Sequence, residues 1–184
     1  MRGNRIILLL FLIVIVVIVT NLNGILRIYY PMNYSDYVYK YAAQYKLDPY
    51  FVEAVIKSES NFDANAKSKK NAYGLMQITP TTAEWAAEKM GIKAFSSDML
   101  YNPEFNIRMG CWYLNDLSSE FKGNMDLVLA AYNGGRGNVK KWLNDTAHSS
   151  DGQNLDYIPF KETDKYVKKV NTNYSMYKKL YKRP

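Results

Sequence analysis

The sequence predicts a mainly helical domain with functional loops, preceded by an apolar N-terminal helix. Three observations carry this. The run from Ile6 to Val19 is fourteen apolar residues without a break. Beyond residue 34 the punctuation is helical, with polar caps, prolines just inside helix starts and glycines at helix ends. Nowhere does apolar and polar alternation last long enough for more than one small hairpin. With 184 residues, 48% hydrophobic and 22% charged, the chain has room for one domain with a core, and disorder is excluded for its bulk.

The first element is the Ile6 to Val19 run behind Arg2 and Arg5. As a helix it spans about 21 Å of a roughly 30 Å hydrocarbon core. Leu22, Ile25, Leu26 and Ile28 extend its apolar character, and no A-x-A-like cleavage site follows. These features favour an uncleaved transmembrane signal anchor over a removed signal peptide, with the N-terminus in the cytoplasm and everything after Tyr30 outside. The expected organisation is an anchor and linker over residues 1–30 and a single extracytoplasmic domain over residues 31–184; secretion after cleavage is the alternative.

Further on, Asp48-Pro49 opens a helix through Glu59, Thr79-Pro80 opens one that Gly91 ends, and Asn102-Pro103 opens one through Leu117. Asn124 caps a short helix that stops at Gly134, and the last helix begins near Thr163 and runs toward Leu180. Residues 63–73 and 144–158 read as irregular. Gly134-Gly135-Arg136-Gly137 is not a phosphate loop, since no Lys-Ser/Thr follows; a helix C-cap and turn is expected.

Twenty-four basic against seventeen acidic residues give a net charge of +7. Arg2, Arg5 and Arg27 supply three of these charges, and eight basic against two acidic residues follow from Lys161 onward. The middle of the chain is nearly neutral, which argues against a nucleic-acid partner, whose basic groups line the working surface. Cys111 has no second cysteine to pair with, and His148 has no second histidine, so neither a disulfide nor a Cys/His metal site is expected. Cys111, beside Trp112 and Leu114, reads as a small buried apolar residue; His148 reads as a loop residue.

Glu59 is the informative acid. Phe51, Val52, Val55 and Ile56 form one apolar stripe, and Glu59 follows Val55 by four and Ile56 by three, so it projects to the buried side. Desolvation there raises a carboxyl pKa and lets it hold a proton near neutrality, as a general acid must. Glu53, six residues earlier, points to a different face and is expected to be a solvated helix charge. Glu59 alone also fits a carboxylate at a fraying helix end.

The company downstream decides between these. Glu59-Ser60, then Gly74-Leu75-Met76-Gln77-Ile78-Thr79-Pro80, then Ala131-Tyr132-Asn133-Gly134-Gly135, then Pro159 through Val167, match in order and spacing the four motifs of the soluble-type lytic transglycosylase domain, glycoside hydrolase family 23. The set resembles that family over roughly residues 36–181. The resemblance implies a lysozyme-like α+β fold, here mainly α, and cleavage of the β-1,4 bond between N-acetylmuramic acid and N-acetylglucosamine. By position Glu59 is the single catalytic acid/base, and Ser60, its motif partner, is expected among the substrate-binding residues. Ser68 stands where such domains place a serine near the sugar, although Lys69, Lys70 and Asn71 depart from the small residues usual there. Met76 and Gln77 line the cleft, Tyr132 and Asn133 sit near the carboxyl, and Glu162 and Tyr166 complete the floor. These types suit a sugar site: Gln77 and Asn133 offer donors and acceptors, Tyr132 and Tyr166 offer a ring and a hydroxyl, and Met76 an adaptable wall. Core packing is an alternative for Tyr132 and Met76, and a hydrogen-bonded Glu162–Tyr166 pair is an alternative for Tyr166.

Ordinary glycosidases use two carboxylates. The motifs supply one, and the resemblance implies that the substrate's 2-acetamido group and C6 hydroxyl do the rest, leaving 1,6-anhydromuramic ends with no metal or organic cofactor. The expected partners are peptidoglycan strands and, through the N-terminal helix, the membrane. Two alternatives stand: a goose-type muramidase with Asp63 or Asp98 as second carboxylate, and a non-catalytic peptidoglycan-binding module.

Overall fold

A computed structural model describes residues 2–181, with the side chains of residues 2–6, 8 and 9 outside the described set. The expectation placed on Arg2 and Arg5 therefore lies outside the described side chains, as Lys182 and Arg183 lie outside the described residues. The described residues form nine α-helices: α1 Arg2–Thr20, α2 Leu22–Tyr29, α3 Ser35–Gln44, α4 Pro49–Glu59, α5 Pro80–Lys89, α6 Pro103–Glu120, α7 Met125–Gly134, α8 Arg136–Leu143 and α9 Lys161–Tyr181, with one short 3₁₀ turn at Ser97–Tyr101. No strand forms among them. In place of the hairpin there are two isolated bridges, Lys67 with Tyr73 and Tyr73 with Ile78.

The helix starts follow their caps. Asp48 accepts from the backbone N–H of Tyr50 at 2.8 Å, Asn102 from Phe105 at 3.0 Å and Asn124 from Leu127 at 3.3 Å. Pro49, Pro80 and Pro103 each occupy a first-turn position whose N–H has no helical partner anyway. Helix α6 runs three residues past the expected Leu117. The glycine-rich stretch holds the expected cap but not the turn: Gly135, at φ +90°, caps the end of α7, and the chain re-enters a helix at once with Arg136. Only a residue that tolerates that backbone lets two helices meet at a single position.

Helix α4 is the spine. It packs most extensively against α9, and α3 closes its other side. Every residue from Phe51 to Lys57 is consequently buried. This overturns the expectation for Glu53, which is 0% exposed and makes no hydrogen bond. A helix buried all round has no solvated face to give it. Cys111, also 0% exposed, is the inert core residue expected, and burial pushes its thiol well above the ordinary range.

At the N-terminal end, α1 exposes its apolar residues from Leu10 to Val19. Among the described residues no single helix is long and apolar enough to cross a membrane, but the segments Leu10–Thr20 and Leu22–Tyr29 pass that test as a pair bent by 59°. Helix α2 is not a free linker. Arg27 donates to the carbonyl of Leu180 at 2.9 Å, Tyr181 to that of Tyr30 at 2.7 Å and Tyr177 to that of Pro31 at 2.9 Å, so α9 clasps the chain between residues 27 and 31.

Candidate active site

Glu59 is the last residue of α4. The helix stops because Asn61 and Phe62 both adopt left-handed backbone, at φ +53° and +69°, which no α-helix continues. Ser60 closes the end by donating to the carbonyl of Leu75 at 2.8 Å, tying it to the Gly74–Ile78 turn. Its hydroxyl is thus used as a structural donor.

That turn is held from beneath by a residue the sequence reading passed over. Asn106 on α6, fully buried, accepts from the N–H of Met76 at 2.8 Å and donates to the carbonyls of Tyr73 at 2.9 Å and Leu100 at 2.8 Å. Gly74, at φ +71°, lies so close that a Cβ there would fall 2.3 Å from the Leu100 carbonyl oxygen and 2.4 Å from the Asn106 amide nitrogen. Met76 does not line a cleft: it is 0% exposed, its thioether filling the space over Gly110, where a Cβ would sit 2.2 Å from the sulfur. Its backbone carbonyl, however, accepts the Tyr132 hydroxyl at 2.7 Å. Gln77 is half-buried with φ +49°, strained for a residue with a side chain, as residues at functional sites often are. Its amide nitrogen donates to the carbonyls of Ala66 and Gly74, and its carboxamide oxygen has no hydrogen-bond partner among the described residues.

Around Glu59 stand two tyrosines. The phenols of Tyr132 and Tyr166 are raised well above their ordinary value, first by burial and next by the negative charge of Glu59. Tyr166 is buried, and its hydroxyl closes no hydrogen bond of regular geometry, although it lies near enough to Glu59 to favour the carboxylate. Glu59 itself is pushed up to about 7 by desolvation, opposed by Tyr166 and by the charge of Lys169. Lys169, which the sequence reading also passed over, is fixed by donating to the carbonyl of Ser58 at 2.7 Å.

The remaining expected residues divide. Asn133 accepts from Thr163 at 2.9 Å, and its amide nitrogen donates to no described residue. Ser68 accepts from the N–H groups of Lys70 and Ala72, with its own O–H left as a donor. Glu162 does not form the floor. Its side chain is 72% exposed and paired with Lys70 at 3.1 Å on the rim, so it makes no pair with Tyr166 either. Glu162 stands one turn before Tyr166 at the very start of α9, where the exposed Lys70 rather than the core is its partner.

Two hollows lie near these residues, one touching the end of α7 and the other between α5, α6 and α8. One, of about 410 Å³, is lined by Asn133, Thr163, Phe160 and the Lys70–Glu162 pair. The other, of about 320 Å³, is lined by Thr81, Thr82, Trp85, Tyr113 and Arg136. Arg136 lies 4.7 Å from the Trp85 ring centre, and the Tyr113 ring sits 5.4 Å from that of Tyr132. Asp63, in contrast, is exposed and spends an oxygen on the N–H of Asn65 in its own turn. The arrangement is one desolvated carboxyl, proton-bearing near neutrality, between aromatic and amide groups. It can give a proton to an ether oxygen and take one back.

A family model described as the transglycosylase SLT domain matches residues 36–155. Over 143 residues the chain is 36% identical to a soluble lytic murein transglycosylase of Escherichia coli K12, an alignment covering 77% of this chain and 22% of that protein. It is 28% identical over 172 residues to a membrane-bound lytic murein transglycosylase C of Edwardsiella ictaluri, covering 80% and 47% respectively. Among solved structures it is similar to an inactive mutant of lytic transglycosylase Slt from Pseudomonas aeruginosa, with a TM-score of 0.75, 35% identity and coverage of 86% of this chain and 26% of that one. It is likewise similar to the 70 kDa soluble lytic transglycosylase of Escherichia coli, with a TM-score of 0.73, 31% identity and coverage of 82% and 25%. The chain thus spans about a quarter of the length of these solved relatives.

Proposed function

The chain belongs to the transglycosylase SLT domain family, and on that premise we propose that it is a peptidoglycan lytic transglycosylase with Glu59 as its only acid/base. One observation carries the chemistry: Glu59 is the carboxyl that burial holds near 7 beside Tyr132 and Tyr166. Protonated Glu59 donates to the oxygen leaving C1 of N-acetylmuramic acid as that bond breaks, and the substrate's acetamido oxygen stabilises the cationic carbon. Glu59, now a carboxylate, takes the C6 hydroxyl proton while O6 bonds to C1. The 1,6-anhydro ring closes, and Glu59 ends protonated as it began. Tyr166 and the Lys169 charge steady the carboxylate between the two transfers.

Gln77, Asn133 and Ser68 offer an acceptor and two donors to the sugar hydroxyls and acetamido groups. The Trp85–Tyr113 shelf gives an apolar face of the kind that pyranose rings stack on. Asp63 is turned to its own loop, so the muramidase alternative lacks its first carboxylate. The exposed apolar surface of α1 and the membrane-bound relatives support residues 1–30 as an anchor, with the domain over 31–184 outside the cell. The clasp of α9 on Tyr30 and Pro31 sets the domain directly on that anchor.

The test is Glu59→Gln in the full chain. Clearing of purified peptidoglycan should fall by about 10² to 10⁴, the usual loss for an acid/base group. Wild-type clearing by the variant would remove Glu59 from the chemistry.

A further inference from the structure

Between α2, the end of α4 and α9 lies an open hollow of about 460 Å³ that shares none of the sugar-binding residues named above. Ile28 and Tyr29 line it from α2, Lys57 and Asn61 from the end of α4, and Lys169 and Asn173 from α9. Lys57 donates to the carbonyl of Tyr29 at 2.6 Å and to the Asn61 side-chain oxygen, and Lys169 to the carbonyl of Ser58. Each ammonium has three donors: Lys169 spends one, and Lys57 spends two while lying 4.1 Å from the Tyr29 ring centre. Neither lysine forms a salt bridge among the described residues. Burial and the charge of Lys169 together hold Lys57 below its ordinary value. A hollow with two unneutralised cations, spare donors and no acid suits an anion.

Its surroundings say which anion. Ile28 and Tyr29 are 82% and 63% exposed at its mouth, and Leu22 and Ile25 are exposed on the same short helix. Helix α2 is eight residues, about 12 Å, long and joins directly to the exposed apolar α1. An aromatic and apolar lip beside lysines, one short helix from a membrane segment, is the make-up of an interfacial lipid contact.

We propose that this hollow binds the phosphate of an anionic phospholipid headgroup, with Lys57 and Lys169 as its ligands and Ile28 and Tyr29 set among the lipid headgroups. The inference rests on the anchor reading of α1. Because the charge of Lys169 also reaches Glu59, the site lies within electrostatic range of the acid.

The test uses the full chain, isotope-labelled at lysine, in maltoside micelles, titrated with dihexanoyl phosphatidylglycerol while the lysine resonances are followed. Saturable shifts confined to Lys57 and Lys169 are expected. Lys169→Glu, at an exposed position whose melting curve is compared with wild type, and Lys57→Met should each weaken binding by at least about tenfold. Equal affinity for inorganic phosphate would make it a free-phosphate site. Binding of a muramyl stem peptide without phosphatidylglycerol would make it a substrate subsite. Either result, or the absence of saturation, overturns the proposal. Flotation with phosphatidylcholine vesicles separates the premise: wild type and Lys169→Glu should float alike through α1. Loss of flotation with headgroup binding intact would remove the anchor and leave the site.

Discussion

Glu59 and Glu53 share helix α4, and burial raises both carboxyls, to about 7 and about 8. Glu59 sits at the helix end, where Tyr166 and Lys169 oppose the desolvation, and it is half-buried. The general acid must be protonated to act, so kcat/KM should fall as pH rises past about 7. Tyr166→Phe removes a group that lowers the Glu59 pKa, so it should move that alkaline limb to higher pH; a pH profile of both proteins checks this, and an unmoved limb would show that Tyr166 does not act on Glu59. Glu53 has neither opposing partner nor access. Its folded pKa lies above its unfolded value, so the folded state holds the extra proton. The stability it allows is full below about 4.5 and is lost as pH rises toward 8. Glu53→Met, similar in size and apolar, should therefore stabilise the domain by on the order of a few kcal/mol at pH 8 and by less at pH 5. Thermal melts at the two pH values check it, and an equal Tm change at both would show that Glu53 does not titrate.

At the scale of elements, the site depends on one turn strapped to one helix. Asn106 holds the Gly74–Met76 backbone by three hydrogen bonds in a fully buried place. Asn106→Ala strands those polar groups and should cost about 2–4 kcal/mol. Activity should fall further than folding alone explains, because the Met76 carbonyl that anchors the Tyr132 hydroxyl is released. Comparing kcat of the folded fraction with the melting curve separates the two. The helix starts at Pro49, Pro80, Pro103 and Met125 were legible because cap and proline chemistry is local. So was the stripe that buries Glu59, since its period is set within one helix. Glu53 was misread because a period shows which residues share a face, and only the packing of both α3 and α9 on α4 shows that no face is wet. Met76, Glu162, Asn106 and Lys169 were misread or missed for a related reason: their places are fixed by partners 30 to 111 positions away, Asn106 for Met76, Lys70 for Glu162 and Ser58 for Lys169.

The whole molecule is an apolar helix joined to an enzyme-like domain without a slack linker, since α9 is bonded to residues 30 and 31. The charge pattern read from the sequence, basic ends around a nearly neutral middle, puts Lys169 of α9 near that junction. That neutrality suits a substrate recognised by amides and aromatic rings, and it leaves one carboxyl to do the chemistry. If Glu59 works alone, the acceptor has to be held by the substrate itself, and the intramolecular C6 hydroxyl can outcompete water through its high effective concentration. The deciding measurement is the mass of the soluble muropeptides that the full chain, in detergent, releases from purified peptidoglycan. Transglycosylation requires 1,6-anhydromuramic ends, about 18 Da lighter than hydrolytic products because no water is added. Predominantly reducing muramic ends would contradict it and would require a second carboxylate or a held water at the site.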